Sequence, residues 1–204
     1  MRAKKPHSEP RNTGFNFRAT IAWFFLPMML GLLTLAWGPG MAGAQTSISK
    51  EYQIKAVFLF NFAQFVQWPE TNFPGAGAPF CIGVLGDDPF NSFLDETVRG
   101  ENIKGHPLII HRYHNIDEVK DCQVLFISRS ESGSMEQILT RLKGRDILTV
   151  GDAEGFLKNG GAIRFATEQN KIHLRVSLDA AKSTNLVISS KILRLSEIVE
   201  PGKD

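Results

Sequence analysis

Apolar positions recur along this chain at three spacings, and each predicts a different element. From Lys50 to Val66 the residues Ile54, Val57, Phe58, Phe62, Phe65 and Val66 follow helical spacing, and Trp68-Pro69 ends the run. Short apolar stretches at Phe80–Leu85, Pro107–Arg112, Cys122–Ser128 and Ile147–Val150 read as strands. Between them, Asp87-Asp88-Pro89 offers a carboxylate cap with proline at the first helical position, which predicts a helix running to about Val98. Ile116–Lys120 reads as a helical turn, and Met135–Lys143 as a helix closed by Gly144. Strands alternating with helices over short connections predict an α/β fold: a three-layer mixed sheet, largely parallel in its core strands, with helices on both faces.

After Gly160-Gly161 the spacing changes to two. Ala162–Glu168 and Lys171–Leu178 alternate around Gln169-Asn170, a two-residue hairpin loop. The register this imposes puts Ile163 opposite Val176, Phe165 opposite Leu174 and Thr167 opposite Ile172 on one face. Arg164 then meets Arg175, Ala166 meets His173 and Glu168 meets Lys171 on the other. Closing helices follow. Asp179 is expected to cap a segment through about Thr184, Asn185-Leu186 to break it, and Ser189 to cap a last helix to about Val199, with Ile192, Leu193, Leu195 and Ile198 mostly inward.

The first 44 residues read as an address. A basic stretch precedes the apolar run Ile21–Trp37, then Gly38-Pro39-Gly40 and the small residues Ala42-Gly43-Ala44, the three parts of a secretory signal peptide. Cleavage is expected after Ala44, with an uncleaved anchor as the rival reading. On the first reading, residues 45–204 are a single domain outside the cytoplasm. The formal charge of +2 belongs to the leader: five basic residues and one acidic precede residue 45, and without them 18 basic face 20 acidic residues. No nucleic-acid footprint survives that subtraction.

Two cysteines, Cys81 and Cys122, each open an apolar run. In an oxidising compartment the pair reads as a disulfide, with buried free thiols as the alternative. On neighbouring parallel strands about 4.8 Å apart their Cα atoms fall within bridging range. Nucleophile, metal and dinucleotide motifs are absent. Gly155–Ala162 spaces two glycines as a phosphate loop does, but it lacks the Lys-Ser/Thr and precedes a strand, so it reads as a turn. His106, His111 and His114 lie close in sequence, yet a strand sends the first two to opposite faces; no metal is expected. Arg164 and Arg175, directly opposed and extended by His173 and Lys171, repel one another. They form either a solvated face or a receiver for an anion. In the aromatic run, core packing is the default, with Phe60 and Trp68 as a candidate partner surface.

Together these pieces resemble a known family. Tyr52-Gln-Ile-Lys-Ala-Val-Phe-Leu-Phe-Asn-Phe-Ala-Gln-Phe-Val-Gln-Trp-Pro69 resembles the opening signature of the YfiR-like periplasmic proteins. Cys81–Phe90, Cys122–Ser128, Leu148–Asp152, Gly155-Phe156, Gly160–Phe165 and Ala180–Leu195 are similar to it in order and spacing. The resemblance implies a secreted, non-catalytic α/β protein without a cofactor. It implies binding to the periplasmic domain of an inner-membrane diguanylate cyclase, which is thereby repressed, lowering cyclic di-GMP and biofilm formation. It further implies release by an outer-membrane lipoprotein, and homodimers. Cys81 and Cys122 match a family cysteine pair; the second pair of some members has no counterpart, since Leu148 to Lys158 contains no cysteine. A small-anion sensory module built on the basic hairpin is the alternative function.

Overall fold

Alternate residues of each central strand feed two separate apolar cores, one on either face of a single sheet. The structure, a computed structural model, describes residues 42–200 and 202–204. The leader through residue 41 lies outside the described residues. The first element is the helix α1, Ala42–Phe65, followed by the two-residue strand β1, Val66–Gln67. Then come β2 (Phe80–Leu85), α2 (Ser92–Val98), β3 (Asn102–Ile103), β4 (His106–Tyr113), β5 (Val124–Ile127), α3 (Met135–Leu142) and β6 (Leu148–Gly151). The second half holds β7 (Ile163–Glu168), β8 (Lys171–Ser177), α4 (Leu178–Lys182), β9 (Val187–Ile188), α5 (Ser190–Leu193) and β10 (Ser196–Val199).

Eight strands form the main sheet in the order β10-β8-β7-β6-β5-β2-β4-β3. Pairing is parallel from β4 through β7 and again between β8 and β10; only β7–β8 and β3–β4 are antiparallel. One core takes Ile82, Val84, Val124, Phe126, Leu148, Val150, Ile163, Phe165, Leu174 and Val176 under α1 and α2. The other takes Cys81, Leu85, Leu125 and Ile127 under α3, with Phe156 and Leu157 of the loop after β6. The three-layer arrangement is therefore as the periodicity predicts. A separate antiparallel pair, β1 with β9, clips the end of α1 to the closing segment.

The hairpin keeps every predicted pairing, from Ile163–Val176 to Glu168–Lys171. Gln169 and Asn170 both take positive φ (48° and 60°), the backbone of a type I′ turn that matches strand twist. Elsewhere local signals were overridden. The helix expected from Asp87 starts at Ser92: Asp88 instead accepts a hydrogen bond from Phe90 N–H at 2.7 Å, an Asx turn that holds the chain out of helix. Ser177, not Asp179, caps α4, its side chain accepting from Ala180 N–H. Ser189 caps the last helix as expected, but that helix ends at Leu193. Ser196–Val199 then pairs in parallel with β8, because the open edge of β8 offers a ladder of unpaired backbone groups. Leu195 and Ile198 consequently face outward, 71% and 54% exposed, rather than inward.

The inward face of α1 is also rotated from the expected one. Its buried stripe is Lys55, Ala56, Leu59, Phe62 and Ala63, continued by Val66 of β1, while Ile54 and Val57 are half exposed. Lys55 marks the difference: it is wholly buried on the sheet side of the helix, where it meets Asp152.

Candidate functional site

Lys55 reaches the carboxyl end of β6, where the chain leaves the sheet at Asp152. Its ammonium lies 2.5 Å from Asp152 Oδ2 and 2.6 Å from Glu51 one turn earlier, and 4.3 Å from the Tyr52 ring centroid. Tyr52 donates its hydroxyl to the same Oδ2 at 2.9 Å. Burial, reinforced by the Asp152 charge, pushes the Tyr52 phenol well above its ordinary range. From the loop after β5, Arg129 Nε donates to the Asp152 carbonyl at 3.2 Å and lies 3.3 Å from Oδ1. Three segments distant in sequence thus converge on one buried carboxylate at the carboxyl ends of parallel strands, the edge where open α/β sheets gather polar groups. The network borders a shallow depression of about 620 Å³ whose rim includes Glu51, Arg129, Ser132, Glu154 and Thr167.

Arg164 stands beside it on the other face of the sheet. Rather than repelling Arg175 across the hairpin, each arginine is drawn to its own carboxylates. Arg175 Nε and Nη2 donate to Glu197 and Glu168 at 3.1 and 3.0 Å. Arg164 Nη1 donates to Asp204 at 2.9 Å. His173 and Lys171 are exposed farther along the hairpin. The four predicted basic residues do share a face, then, but only Arg164 meets a built site. Its aspartate partner is five residues beyond β10, and no local pattern announced it.

The cysteines meet beneath Tyr113. Both are buried free thiols. Cys122 lies two residues before β5 and donates to Val124 C=O at 3.0 Å; Cys81 Sγ is 3.7 Å from Tyr113 Oη. Gly83 makes the space: a Cβ there would stand 2.8 Å from Cys122 Sγ and 2.7 Å from the Tyr113 ring. Hydrogen bonding with Cys122 holds the Cys81 thiol below its ordinary value, against the effect of burial. Burial pushes the Cys122 thiol up, and Cys81 adds to it. Tyr113 is raised for the same first reason, with the two thiols adding to it.

Phe60 and Trp68, the candidate partner surface, are partly buried against the α1 core. Trp68 donates its indole N–H to Gln123 C=O at 3.2 Å and packs edge-on to Phe80. Among the described side chains, α1 turns the large apolar groups Ile54 and Val57 outward. His106 is 2.6 Å from Ala78 C=O through Nδ1 and stacks on Phe73, whereas His111 faces the Tyr113 hydroxyl. Arg112 binds Asp88 and Asp95, tying β4 to α2. Among the described residues no helix is long and apolar enough to cross a membrane.

No curated protein matches the chain. The family model DUF4154, described as YfiR/HmsC-like, matches residues 52–197, from the tyrosine on Asp152 to the glutamate on Arg175. That span takes in nearly the whole described fold, and the chain therefore belongs to the YfiR/HmsC-like family, whose domain points to a periplasmic regulator of diguanylate cyclase signalling.

Proposed function

We propose that this protein is a periplasmic repressor that binds the periplasmic domain of an inner-membrane diguanylate cyclase and holds it inactive. The observation that carries the reading is the family match over residues 52–197. A binding role also suits the apolar side chains left on the outer face of α1, Ile54 and Val57, one turn apart on a rigid helix. Such a protein acts by differential affinity for one state of its partner, with no reaction of its own. An outer-membrane lipoprotein that sequesters it would release the cyclase, and a homodimer would present two copies of the α1 face. A Cys81–Cys122 bridge formed on export would lock β2 to the lead-in of β5 and stabilise the fold relative to its reduced form by roughly 4 kcal/mol for a loop of this length, less any strain.

The test is cellular cyclic di-GMP in a strain lacking the gene, and again with the secreted protein restored. The level should rise on deletion and fall on restoration. Restoration with Ile54→Glu/Val57→Glu should leave it high while the variant remains folded and exported. An unchanged level on deletion removes the repressor reading.

A further inference from the structure

The loop that resembles a phosphate loop in its glycine spacing does bind an anion, and the anion belongs to this chain. Asp204 Oδ2 accepts from Gly155 N–H and from Arg164 Nη1, and Oδ1 accepts from Leu157 N–H at 3.2 Å. Both carboxylate oxygens are held, by two backbone donors and one guanidinium. We propose that this cradle is a carboxylate-binding site for an aspartate presented by an acidic partner segment, and that Asp204 occupies it in cis as a releasable strap. The inference does not rest on the cyclase reading.

The cradle is built independently of its occupant. Phe156 wedges its ring between two bare backbones: a Cβ at Gly151 or Gly161 would come within 2.5 or 2.2 Å of it. The wedge, with Asn159 N–H on Gly155 C=O and Gly161 N–H on Phe156 C=O, fixes the turn from which Gly155 and Leu157 donate. Gly155 takes φ of +76°, open to glycine. Arg164 comes from β7, paired with Gly151, and its side chain is only 12% exposed. A preformed site of this kind loses little on binding.

The occupant, by contrast, is lightly tied. Past Val199, the other side-chain bond among the described residues of the strap is Lys203 to Glu200, within itself. Arg164 also keeps one donor in reserve, for its buried Nε has no hydrogen-bond partner. A depression of about 460 Å³ leads away from Asp204 past Thr167, Glu168 and Arg175, so a longer segment has somewhere to lie. The group that fits today is an aspartate on a polypeptide, which identifies the chemistry of the ligand. A tethered strap competes at an effective concentration in the millimolar range, so wild type should accept the same group in trans only weakly.

The experiment follows the Gly155 and Leu157 amide resonances of the full domain by nitrogen-15 NMR. Asp204→Asn should shift both amides and speed their exchange. Titration with acetyl-Gly-Asp-Gly-amide should then restore the shifts, with an affinity at least tenfold tighter than for wild type. The Asn counterpart peptide should not. Adding Arg164→Lys to Asp204→Asn, which keeps the charge but loses the fork, should weaken the peptide tenfold or more. Amides unmoved by Asp204→Asn overturn the strap. Equal binding of the Asp and Asn peptides, or none to Asp204→Asn, overturns the carboxylate site. Succinate binding as tightly as the Asp peptide overturns the polypeptide ligand in favour of a small carboxylate.

Discussion

On the α1 face the sheet is closed at its carboxyl edge by a buried ion pair, Lys55 on Asp152, whereas on the α3 face two thiols and a tyrosine fill the layer beneath β4. The same strands supply both. The α1 face places a full charge in its core and surrounds it with Glu51, Tyr52 and Arg129, leaving Asp152 Oδ1 without a hydrogen bond; the α3 face uses weakly polar groups that need few partners. The difference teaches how each face should fail. A charged pair fails when one member is removed. A thiol cluster fails when a proton is removed, so the two faces answer to mutation and to pH respectively.

The largest expected effect is therefore at Lys55. Lys55→Met keeps the length of the side chain and leaves Asp152 buried beside a phenol, which should destabilise by about 3–5 kcal/mol. Removing the second charge as well, in Lys55→Met/Asp152→Leu, should recover much of that loss, since well-packed apolar replacements of a buried pair are often neutral. Urea midpoints of the two variants and wild type measure this. A single variant as stable as wild type would break the contrast between the faces.

That same residue shows why part of the fold was not legible. Lys55 sits in an apolar helix repeat with its partner 97 residues away, so spacing alone turns Ile54 and Val57 inward. The hairpin was legible down to its register because both of its determinants are local: strict alternation and a Gln169-Asn170 turn able to take positive φ. The final strand was not. Ile192, Leu193, Leu195 and Ile198 fit a helix, and what makes β10 a strand is the free edge of β8, a property of the assembled sheet. The candidate site divides the same way. Arg164 stands out in the sequence as half of a repelling pair, and the glycine loop reads there as a turn. Their meeting at Asp204 depends on residues beyond β10 crossing back over the sheet.

The next effect is on the α3 face and is one of pH. Burial raises the Cys122 thiol, so the folded state keeps its proton while the unfolded chain releases one above about pH 8.5. The folded state then binds more protons than the unfolded, and stability falls as pH rises, by at most about 1.4 kcal/mol per pH unit for one group. Cys81 works in the opposite sense, its lowered value favouring the folded thiolate, which makes the net slope shallower. Under reducing conditions Cys122→Ala should flatten the decline between pH 8.5 and 10. A reduced wild-type curve without such a decline would show that the lowered Cys81 thiol offsets the raised Cys122 thiol in full.

The smallest expected effect returns to the α1 face at its exposed edge, and it separates burial from charge as the cause of the first. Arg112 holds Asp95 of α2 through two guanidinium nitrogens, at 2.5 and 3.1 Å, so the geometry rivals that of Lys55 on Asp152. Both side chains are about 40% exposed, however, at 39% and 42%. Hydrogen bonds from Arg112 keep the Asp95 carboxyl below its ordinary value. A depressed carboxylate contributes stability that is present above the unfolded value near pH 3.9 and is lost as pH falls through the folded one. Asp95→Asn should therefore cost no more than about 1 kcal/mol at neutral pH, less in molar salt, and nothing once the wild-type carboxyl is protonated. The Lys55→Met loss should be indifferent to salt over the same range, because water and counterions do not reach that pair. If salt weakened both variants' effects alike, the two ion pairs would differ in strength alone, and burial would no longer set the Lys55 pair apart from the exposed one.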